Sequence, residues 1–495
     1  MLARIRQAPT GALVLILVLW TGLASAVAHR LSFSEVAWPD ECIYLAGARN
    51  VAERGTLQTS FYLTHSILMR GHPHRDVHMP GYILALAPFV RVFGETLTAA
   101  VVLNVAALAG SVVLLFAIGT KMTGSREIAL VAAALLPLLP PFPGYVAVAY
   151  PEVVVTLAFL AGLAWLARGG GGAAHAAAAG VLFVLGGLFR ETLWIALPVY
   201  SAMLPRRWFW RAFAPAALVT FVVVIRPLSS DRAIHPNALY PGILMEAQRS
   251  PSPVRTFVDV LWRNVATNAR MARDAAPLSR AEDAVLLFLA GLAVVSLASW
   301  PVLSKEARRW AIGVWGSLLL LTAAVFVVYV VRERGGVWGG VRAYMTWAPL
   351  LLLMVVAGAA RLPTGLRGVV LAAAVLAFVG LDRWQIYWFG RYKGSDYEDQ
   401  DRNARYLERY LGEAHPQRIV SRSFLYGHRH YPVEVVWGVP GDAVELEALE
   451  QAIGYEFVSI HEKHPLRLHL IQNPRYQRVN KDDRGAEFLI WRRLF

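Results

Sequence analysis

The sequence predicts a polytopic all-α membrane domain, residues 1–382, followed by a small α/β domain, residues 383–495. Three observations support this prediction. Of the 495 residues, 56% are hydrophobic and only 17% are charged, and the mean hydropathy is +0.45. Long apolar runs recur as far as residue 381, and beyond it charged residues alternate with short strand-like and helix-like segments. Soluble globular chains are less apolar than this one.

The first apolar run has two interpretations. Arg4 and Arg6 precede it, and Ala24-Ser25-Ala26 resembles a cleavage site, so a signal peptide is one interpretation. The run from Leu13 to Ala28, with its flanks, provides roughly 20 apolar or small residues, which is enough to cross a bilayer. We favour an uncleaved first helix, because the chain that follows has membrane character.

Segment length and loop charge together predict about 11 transmembrane helices. With a cytoplasmic N-terminus, the four connections richest in Lys and Arg all fall inside: 121–126, 206–211, 305–309 and 361–367. This topology requires residues 80–94, which contain Pro80 and Pro88, to lie along the interface or re-enter. At Arg190-Glu191, two short helices or one broken helix would fit equally well. The predicted spans are 11–31, 97–119, 126–143, 152–168, 174–189, 191–204, 208–226, 284–303, 310–331, 342–360 and 364–381.

The same topology places the first loop, residues 32–80, and the long loop, residues 227–283, outside the membrane. All the conspicuous ionisable residues near the membrane are expected on that face: Asp40, Glu41, His78, Glu152, Arg190, Glu191, Arg332, Glu333, Arg334 and Arg342. Ionisable groups held against a bilayer are costly to place there, so they indicate a functional site. We therefore expect an outward-facing site.

The C-terminal domain is predicted from local patterns, and the span number places it outside the membrane. Residues Asp399–Gly412 have the periodicity of an amphipathic helix. Asp442 and Glu445 form a capping-box pattern, and Gly454 suits the end of the helix that they begin. Four segments have the composition of strands: 418–421, 433–437, 456–460 and 487–491. Strands that alternate with helices indicate an α/β domain.

Composition argues against several classes of function. The net charge of +14 lies in short runs between apolar spans and in the C-terminal part, and no nucleic-acid-binding motif is present. The single cysteine, Cys42, excludes an intrachain disulfide. His65, His72 and His74 lie in the first outer loop, but their spacing matches no standard zinc pattern. We predict no metal site and no cofactor, and leave a dependence on divalent metal open.

Several motifs resemble those of one family of membrane enzymes. The acid pair Asp40-Glu41 follows the first helix, and His78-Met79-Pro80-Gly81-Tyr82 leads into an apolar run that ends at Phe93-Gly94. Further agreement lies in Tyr150-Pro151-Glu152, Gly187-Leu188-Phe189-Arg190-Glu191-Thr192, and Arg342-Ala343-Tyr344 before Trp347-Ala348-Pro349.

The pattern resembles the C-type glycosyltransferases with the GT-C fold, which are polytopic enzymes that use polyprenyl-phosphate sugars. That group includes the protein O-mannosyltransferases, the lipid A aminoarabinose transferases and the rhizobial lipopolysaccharide galacturonosyltransferases. The resemblance covers nearly the whole chain but is strong only in the first 95 residues. Met79 stands where proline is more usual, and Glu152 stands where many relatives have aspartate.

The resemblance implies an inverting transfer of a sugar from a polyprenyl-phosphate donor to an acceptor hydroxyl on a glycan, lipid or protein. The acid that matches Asp40 is the family's proposed catalytic base, and Glu41, His78 and Glu152 are further candidates. Each acid also has an ordinary explanation, as a helix cap or as a first-turn acid. The donor phosphate needs fixed cations, for which the candidates are Arg332, Arg334, Arg342 and Arg190.

A multi-pass transporter or flippase of a lipid-linked or sugar substrate is the alternative. It would explain the many spans, but it also predicts internal repeats and ionisable residues near helix centres. The sequence shows no repeat, and its charges lie towards one face. We expect the chain in a bacterial plasma membrane. The sequence does not specify the sugar, the acceptor or the exact lipid.

Overall fold

A computed structural model describes most of the chain. It covers residues 8–36, 38–57, 59, 61–63, 80–169, 172–225, 251–252, 254–256, 258–259, 262, 281–303, 305–324, 342, 344–412, 416–430, 432–483 and 486–494. The chain divides into two compact units. The helical unit comprises residues 1–34, 100–227 and 239–390, and the sheet unit comprises residues 35–99, 228–238 and 391–495.

The helical unit, as far as the structure describes it, consists mainly of α-helices. Two of its helices, Leu97–Thr123 and Thr364–Leu411, also carry the chain into the sheet unit. Short 3₁₀-helices cover Leu136–Leu138, Glu191–Ala196 and Trp300–Val302, and π-helical stretches cover Phe209–Phe213 and Phe221–Ile225. The other α-helices are Thr10–Leu31, Arg126–Leu135, Phe142–Val146, Glu152–Ala167, Ala173–Gly187, Leu197–Met203, Arg206–Trp208, Ala214–Thr220, Ala281–Ala298, Lys305–Ala324 and Ala348–Ala359.

Among the described residues, four helices are long and apolar enough to cross a membrane. They are Thr10–Leu31, Leu97–Thr123, Arg206–Val224 and the first part of the long helix, Thr364–Tyr387. The shorter apolar helices include Glu152–Ala167 and Ala173–Gly187. The expected count of about 11 spans is not confirmed.

The predicted span 126–143 is wrong as a single helix. The α-helix Arg126–Leu135 gives way to a 3₁₀ turn, and a separate short helix, Phe142–Val146, follows. The cause is a cluster of prolines, because proline has no backbone N–H to donate and its ring clashes with the preceding turn. The prolines stand at positions 137, 140, 141 and 143.

The predicted separate helix Asp399–Gly412 is the last part of one longer helix, Thr364–Leu411. The sequence pattern changes from apolar to amphipathic along this helix, but no proline stands between residues 364 and 411 to interrupt it. A change of solvent along a helix alters its periodicity without ending it. Residue 383 is therefore not an element boundary.

Helices of the helical unit approach each other closely where one presents a glycine. A Cβ atom at Gly180 would lie 2.5 Å from the backbone oxygen of Phe213, so helix Ala173–Gly187 packs directly on the backbone of that segment. Small residues permit such contacts between membrane helices. The first helix is tied to helix Arg126–Leu135 by a hydrogen bond of 2.8 Å from the indole of Trp20 to the carbonyl of Ala134.

The sheet unit is built on a six-stranded mixed sheet. Strand β1 pairs in parallel with β3, β3 with β2, and β2 with β4, whereas β6 is antiparallel to both β4 and β5. The spatial order is β1-β3-β2-β4-β6-β5. The strands are β1 (Phe61–Leu63), β2 (Arg418–Ser421), β3 (Glu434–Trp437), β4 (Phe457–His461), β5 (Tyr476–Arg478) and β6 (Phe488–Arg493).

The local predictions for the C-terminal part are confirmed. The four predicted strands coincide with β2, β3, β4 and β6 to within two residues at each end. Asp442 caps helix Ala443–Ile453 by accepting a hydrogen bond of 2.9 Å from the backbone N–H of Glu445. Gly454 ends that helix with a φ of 63°, which glycine adopts readily. Helices Phe424–Arg429 and Leu466–Gln472 lie between the strands and were not predicted.

Strand β1 comes from the first loop and was also not predicted. Phe61 aligns with Val435 of β3 and is buried. The sheet therefore takes its edge strand from a segment far from the other five strands in sequence. Residues 32–80 thus contain part of the sheet unit's own structure in addition to the candidate site residues.

Two further helices of the sheet unit belong to this region. One lies within residues 32–80, and the other begins at residue 80. Helix Pro39–Arg54 begins with proline at its first position and ends at Gly55, whose φ is 67°. Helix Pro80–Phe93 packs against it, with Tyr44 and Tyr82 edge to face at 5.0 Å. At 14 residues, Pro80–Phe93 is about 21 Å long, too short for the roughly 30 Å hydrocarbon layer. Its predicted interfacial position stays a prediction.

Candidate functional site

A cluster of charged side chains in the helical unit is centred on Glu152. This residue begins helix Glu152–Ala167, where a carboxylate is favoured by the partial positive charge of the helix N-terminus. It is only 1% exposed. Arg190 forms an ion pair with its Oε1 atom, and the Nε atom of Arg342 lies 3.8 Å from the same oxygen. Two guanidinium groups therefore converge on one buried carboxylate.

Aromatic residues of the segment before that helix, Tyr145 in the short helix Phe142–Val146 and Tyr150 in the stretch that follows, complete the cluster. The guanidinium carbon of Arg342 lies 4.0 Å from the ring centroid of Tyr150, which is cation–π geometry. Tyr145 and Tyr150 are both buried, with ring centroids 6.3 Å apart. The buried amide of Asn104 fixes this segment by donating to the carbonyl of Val148 at 2.8 Å. The side chain of Asn104 thus holds the backbone of the segment that carries Tyr150.

The chemistry of this cluster suits an anion. A guanidinium group is planar and matches the oxygen atoms of phosphate in a two-pronged arrangement. The second carboxylate oxygen of Glu152, Oε2, is buried and has no hydrogen-bond partner among the residues that the structure describes. It could accept a hydrogen bond from a ligand that also contacts the two arginines.

An apolar pocket lies in the same unit, and the first of its lining residues, Trp194, follows Arg190 by four positions in the sequence. Its volume is about 550 Å³, and its lining is mainly apolar. The residues that line it are Trp194, Ile195, Leu197, Pro198, Ser201, Phe209 and Leu320. A pocket with this lining favours hydrocarbon over a polar ligand.

A second cluster, in the sheet unit, surrounds the start of helix Pro39–Arg54. Glu41 is fully buried, and its Oε1 atom accepts a hydrogen bond of 2.8 Å from the buried ammonium group of Lys393. Its Oε2 atom accepts one of 3.2 Å from the backbone N–H of Trp38. Asp40 is half-buried beside it, in the first turn of the same helix.

The indole ring of Trp38 is held by two further contacts. The ammonium group of Lys393 lies 5.2 Å from the ring centroid, and the indole N–H donates to the Oδ2 atom of Asp396 at 3.2 Å. Burial raises the pKa of Asp396, Asp399 adds to that effect, and the bond from Trp38 opposes it. Burial also raises the pKa of the Cys42 thiol well above its ordinary value, and the negative charge of Glu41 acts in the same direction.

A third set of charges in the sheet unit is built around Glu95. Arg49 forms an ion pair with it, and the Nδ1 atom of His428 lies 3.0 Å from its other oxygen. These three residues join helix Pro39–Arg54, the turn after Phe93, and helix Phe424–Arg429. Helix Pro39–Arg54 is thus fixed by charged contacts at both of its ends.

Comparison of the whole chain with solved structures gives low identities and high coverage. The chain is similar to the apo oligosaccharyltransferase of Archaeoglobus fulgidus, with a TM-score of 0.58 and 10% identity, over 90% of this chain and 69% of that chain. It is similar to ArnT from Cupriavidus metallidurans in the apo state, with a TM-score of 0.53 and 13% identity, over 97% of each chain. The chain has the GT-C fold.

A third similar structure of the GT-C fold is the oligosaccharyltransferase AglB from Archaeoglobus fulgidus, in complex with an inhibitory peptide and a dolichol-phosphate. Its TM-score is 0.50 and its identity 9%, over 90% of this chain and 69% of that chain. No protein-family model matches the chain, and no curated protein matches it in sequence. The fold and the apolar helices together identify an integral membrane protein.

Those predicted site residues that the structure describes fall into two clusters. Glu152, Arg190 and Arg342 lie together in the helical unit, and Asp40 and Glu41 lie together in the sheet unit. His78, Arg332 and Arg334 lie outside the described residues, as do His65, His72 and His74. Within the described part of the chain, no group of three His, Cys, Asp or Glu side chains could hold a metal ion.

The sequence did not reveal three of the residues that hold these clusters. Lys393 is separated from Glu41 by 352 positions, and no motif connects them. Glu95 and His428 are likewise distant in sequence, at 333 positions. The available signal was weak, because Lys393 lies in a mostly polar stretch, between Arg391 and Asp396, where a buried lysine is not expected. The structure pairs Arg190 with Glu152, 38 positions away, and no sequence motif indicated this pairing.

Proposed function

We propose that the protein is an inverting glycosyltransferase of the membrane, which moves a sugar from a polyprenyl-phosphate donor to an acceptor hydroxyl on the outer face. The observation that carries this proposal is the convergence of Arg190 and Arg342 on buried Glu152 in a chain with the GT-C fold. A similar structure of this fold holds a dolichol-phosphate.

In this proposal the lipid phosphate binds to Arg342 and Arg190. An anion that leaves water for the rim of a membrane needs paired cations, and arginine matches phosphate geometry better than lysine does. The isoprenoid chain of the donor would occupy the apolar pocket that starts at Trp194. The unpartnered Oε2 atom of Glu152 would accept a hydrogen bond from a sugar hydroxyl.

Asp40 is the proposed base. It lies half-buried in the first turn of a helix, and partial burial makes a carboxylate a stronger base. The acceptor oxygen forms the new bond to the anomeric carbon as the bond from that carbon to the phosphate oxygen breaks. The acceptor proton passes to the carboxylate of Asp40, and the electron pair of the broken bond leaves on the phosphate oxygen. A single displacement of this kind inverts the anomeric centre.

The other acids and cations have different roles in this scheme. Glu41 is held by Lys393 and Trp38, so we assign it to fixing the helix start rather than to proton transfer. Glu152 orders the two arginines. His78 remains a candidate for orienting the acceptor, and Arg332 and Arg334 remain candidates for the phosphate.

The decisive experiment is a transfer assay with purified protein in liposomes. Polyprenyl-phosphate sugars with a radiolabelled sugar are supplied together with a cell-envelope extract as acceptor. We expect label to leave the lipid and join an acceptor, and Asp40→Asn to reduce the rate by at least 100-fold. Asp482→Asn, at an exposed carboxylate outside both clusters, is the control and should retain the wild-type rate.

The assay also distinguishes the enzyme from a flippase. A flippase would move the intact donor across the bilayer and leave the sugar–phosphate bond unbroken. Label that crosses the membrane but stays on the lipid would therefore overturn the proposal.

The proposed orientation is tested separately by single cysteines in a Cys42→Ser background. Those in 227–283 and 383–495 should react with a membrane-impermeant thiol reagent, and those in 121–126 should not.

A further inference from the structure

Lys393 is a buried lysine in the sheet unit, and lysine is rarely buried unless it is paired. Its side chain is only 2% exposed, and the carboxylate that it contacts, Glu41, is completely buried. Its ammonium group donates to Glu41 and lies against the ring of Trp38. One turn further along the same helix, Asp396 accepts from the indole of Trp38. Two successive turns of this helix therefore hold both ends of the segment from residue 38 to residue 41.

Asp40 lies inside the segment that these contacts hold. Because Lys393 fixes the carboxylate of Glu41, the other oxygen of that carboxylate stays aligned on the backbone N–H of Trp38. The contact between residues 38 and 41 sets the conformation of the helix start, and the position of Asp40 follows from it. A shift of about 1 Å in a reacting group can cost a large factor in rate.

We propose that Lys393 is a positioning residue for Asp40, and that it acts through Glu41 and Trp38 without touching the substrate. This inference rests on the proposed function for its catalytic consequence. Its structural basis is the buried ion pair of Lys393 with Glu41 and the contacts that hold the ring of Trp38. These contacts are observed independently of the proposed function.

The physical argument for a special role comes from the cost of the pair. Two charges taken out of water lose hydration that their mutual attraction scarcely repays, so an apolar pair of similar volume would hold the fold as well. Removal of one partner alone leaves an uncompensated buried charge. The pair as a whole thus contributes orientation more than stability, whereas loss of Lys393 alone leaves the carboxylate of Glu41 without its cation.

The charges around Asp40 define the expected electrostatic effect. Glu41 is adjacent to it, and Lys393 and Asp396 belong to the helix that holds residues 38 to 41, whereas Arg49, Glu95 and His428 lie towards the other end of helix Pro39–Arg54. Without Lys393, Glu41 loses the buried cation that balances its charge next to Asp40. A like charge raises the pKa of a carboxylate. The acid limb of the activity profile should therefore move to higher pH.

The buried thiol of Cys42 provides a reporter that does not depend on activity. Cys42 is the only cysteine in the sequence, follows Glu41 directly and is fully buried. Its reaction with a maleimide therefore measures how often the start of this helix opens. Four variants are compared with wild type in detergent: Lys393→Met, Lys393→Arg, Glu41→Gln and the double variant Glu41→Gln/Lys393→Met. Lys463→Met, at an exposed lysine, is the matched control.

For Lys393→Met we expect Cys42 to react at least tenfold faster, kcat to fall at least tenfold, and the KM for the donor to stay within threefold. The acid limb should move to higher pH, and the double variant should return it towards its wild-type position because both charges are gone. Lys393→Arg should keep Cys42 protected to within threefold. Lys463→Met should match wild type in every measurement.

Two results would overturn the inference. One is a folded Lys393→Met variant in which the labelling of Cys42, the kcat and the acid limb are all unchanged. The other is a rise in the KM for the donor with an unchanged kcat, which would make Lys393 part of donor binding. If Lys393→Met does not fold, Lys393→Arg and the double variant decide by the same measurements. A wild-type protein without transfer activity would refute the proposed function, whereas the labelling of Cys42 would still decide whether Lys393 fixes this segment.

Discussion

Substitution of Glu152 by glutamine tests the cluster of two arginines most directly. The change keeps the shape and a hydrogen-bond acceptor, but it removes the negative charge that Arg190 and Arg342 face. The residue is 1% exposed, so water cannot replace the lost partner. The stability of the unliganded protein should fall, while its affinity for a phosphate should rise.

The size of the effect follows from the geometry. At 3.8 Å and an effective dielectric constant of about 20, Arg342 and Glu152 attract each other by about 4 kcal/mol before desolvation. Breaking a buried ion pair by removing one partner costs about 3–5 kcal/mol in measured cases. Because glutamine still accepts a hydrogen bond, we expect the free energy of unfolding to fall by about 3 kcal/mol.

The assay is unfolding of the full chain in detergent, with and without a polyprenyl phosphate that carries no sugar. A ligand at 100 times its Kd stabilises the native state by about 2.7 kcal/mol, and the phosphate should bind Glu152→Gln more tightly than it binds wild type. Glu462→Gln is the matched control. It removes the carboxylate of an exposed ion pair, which is worth about 0–1 kcal/mol. A Glu152→Gln variant as stable as wild type, or one that polyprenyl phosphate stabilises no more than wild type, would refute the reasoning.

Two further predictions concern packing and pH. Gly180→Ala should lower the free energy of unfolding by about 1–3 kcal/mol, because the new Cβ would lie 2.5 Å from the backbone oxygen of Phe213. Gly22→Ala, with nothing within 4 Å, is the control, and equal unfolding midpoints for the two variants would contradict this packing. Because the pKa of Asp396 is raised on folding, its contribution to stability is present below its unfolded pKa and lost as pH rises through its folded pKa. Asp396→Asn, which still accepts from Trp38, should therefore be at least as stable as wild type at pH 7, and unfolding midpoints between pH 4 and pH 8 should show the difference closing towards acid.

The sequence predicted correctly those helix ends and strands whose formation depends on residues close together in the chain. The cap formed by Asp442 and the glycine at position 454 act within a few residues, and both ends of that helix were predicted. The strands β2 and β4 carry continuous buried runs, which local composition reveals. The prolines at 137–143 were also visible, but the prediction gave more weight to the apolar character of the run than to the missing N–H groups.

Long-range pairings could not be predicted, because their energy comes from residues that share no local pattern. Strand β1 has three residues and gains its stability from pairing with β3, so its own sequence carries little signal. The partner of Glu41 lies 352 positions away, and that of Glu95 lies 333 positions away. The motifs located candidate acids and arginines without showing which cations would neutralise which acids.

The two clusters share a physical property that bears on function. Each buries a carboxylate against cations, Glu152 with two arginines and Glu41 with a lysine. Such pairs contribute little net stability compared with apolar side chains of the same volume, and 56% of this chain is already hydrophobic. What the pairs do provide is orientation, because a charge-assisted hydrogen bond inside a protein holds its partners in one geometry. A transferase needs a base and a phosphate site fixed in this way, since its rate depends on groups that are placed before the charge develops.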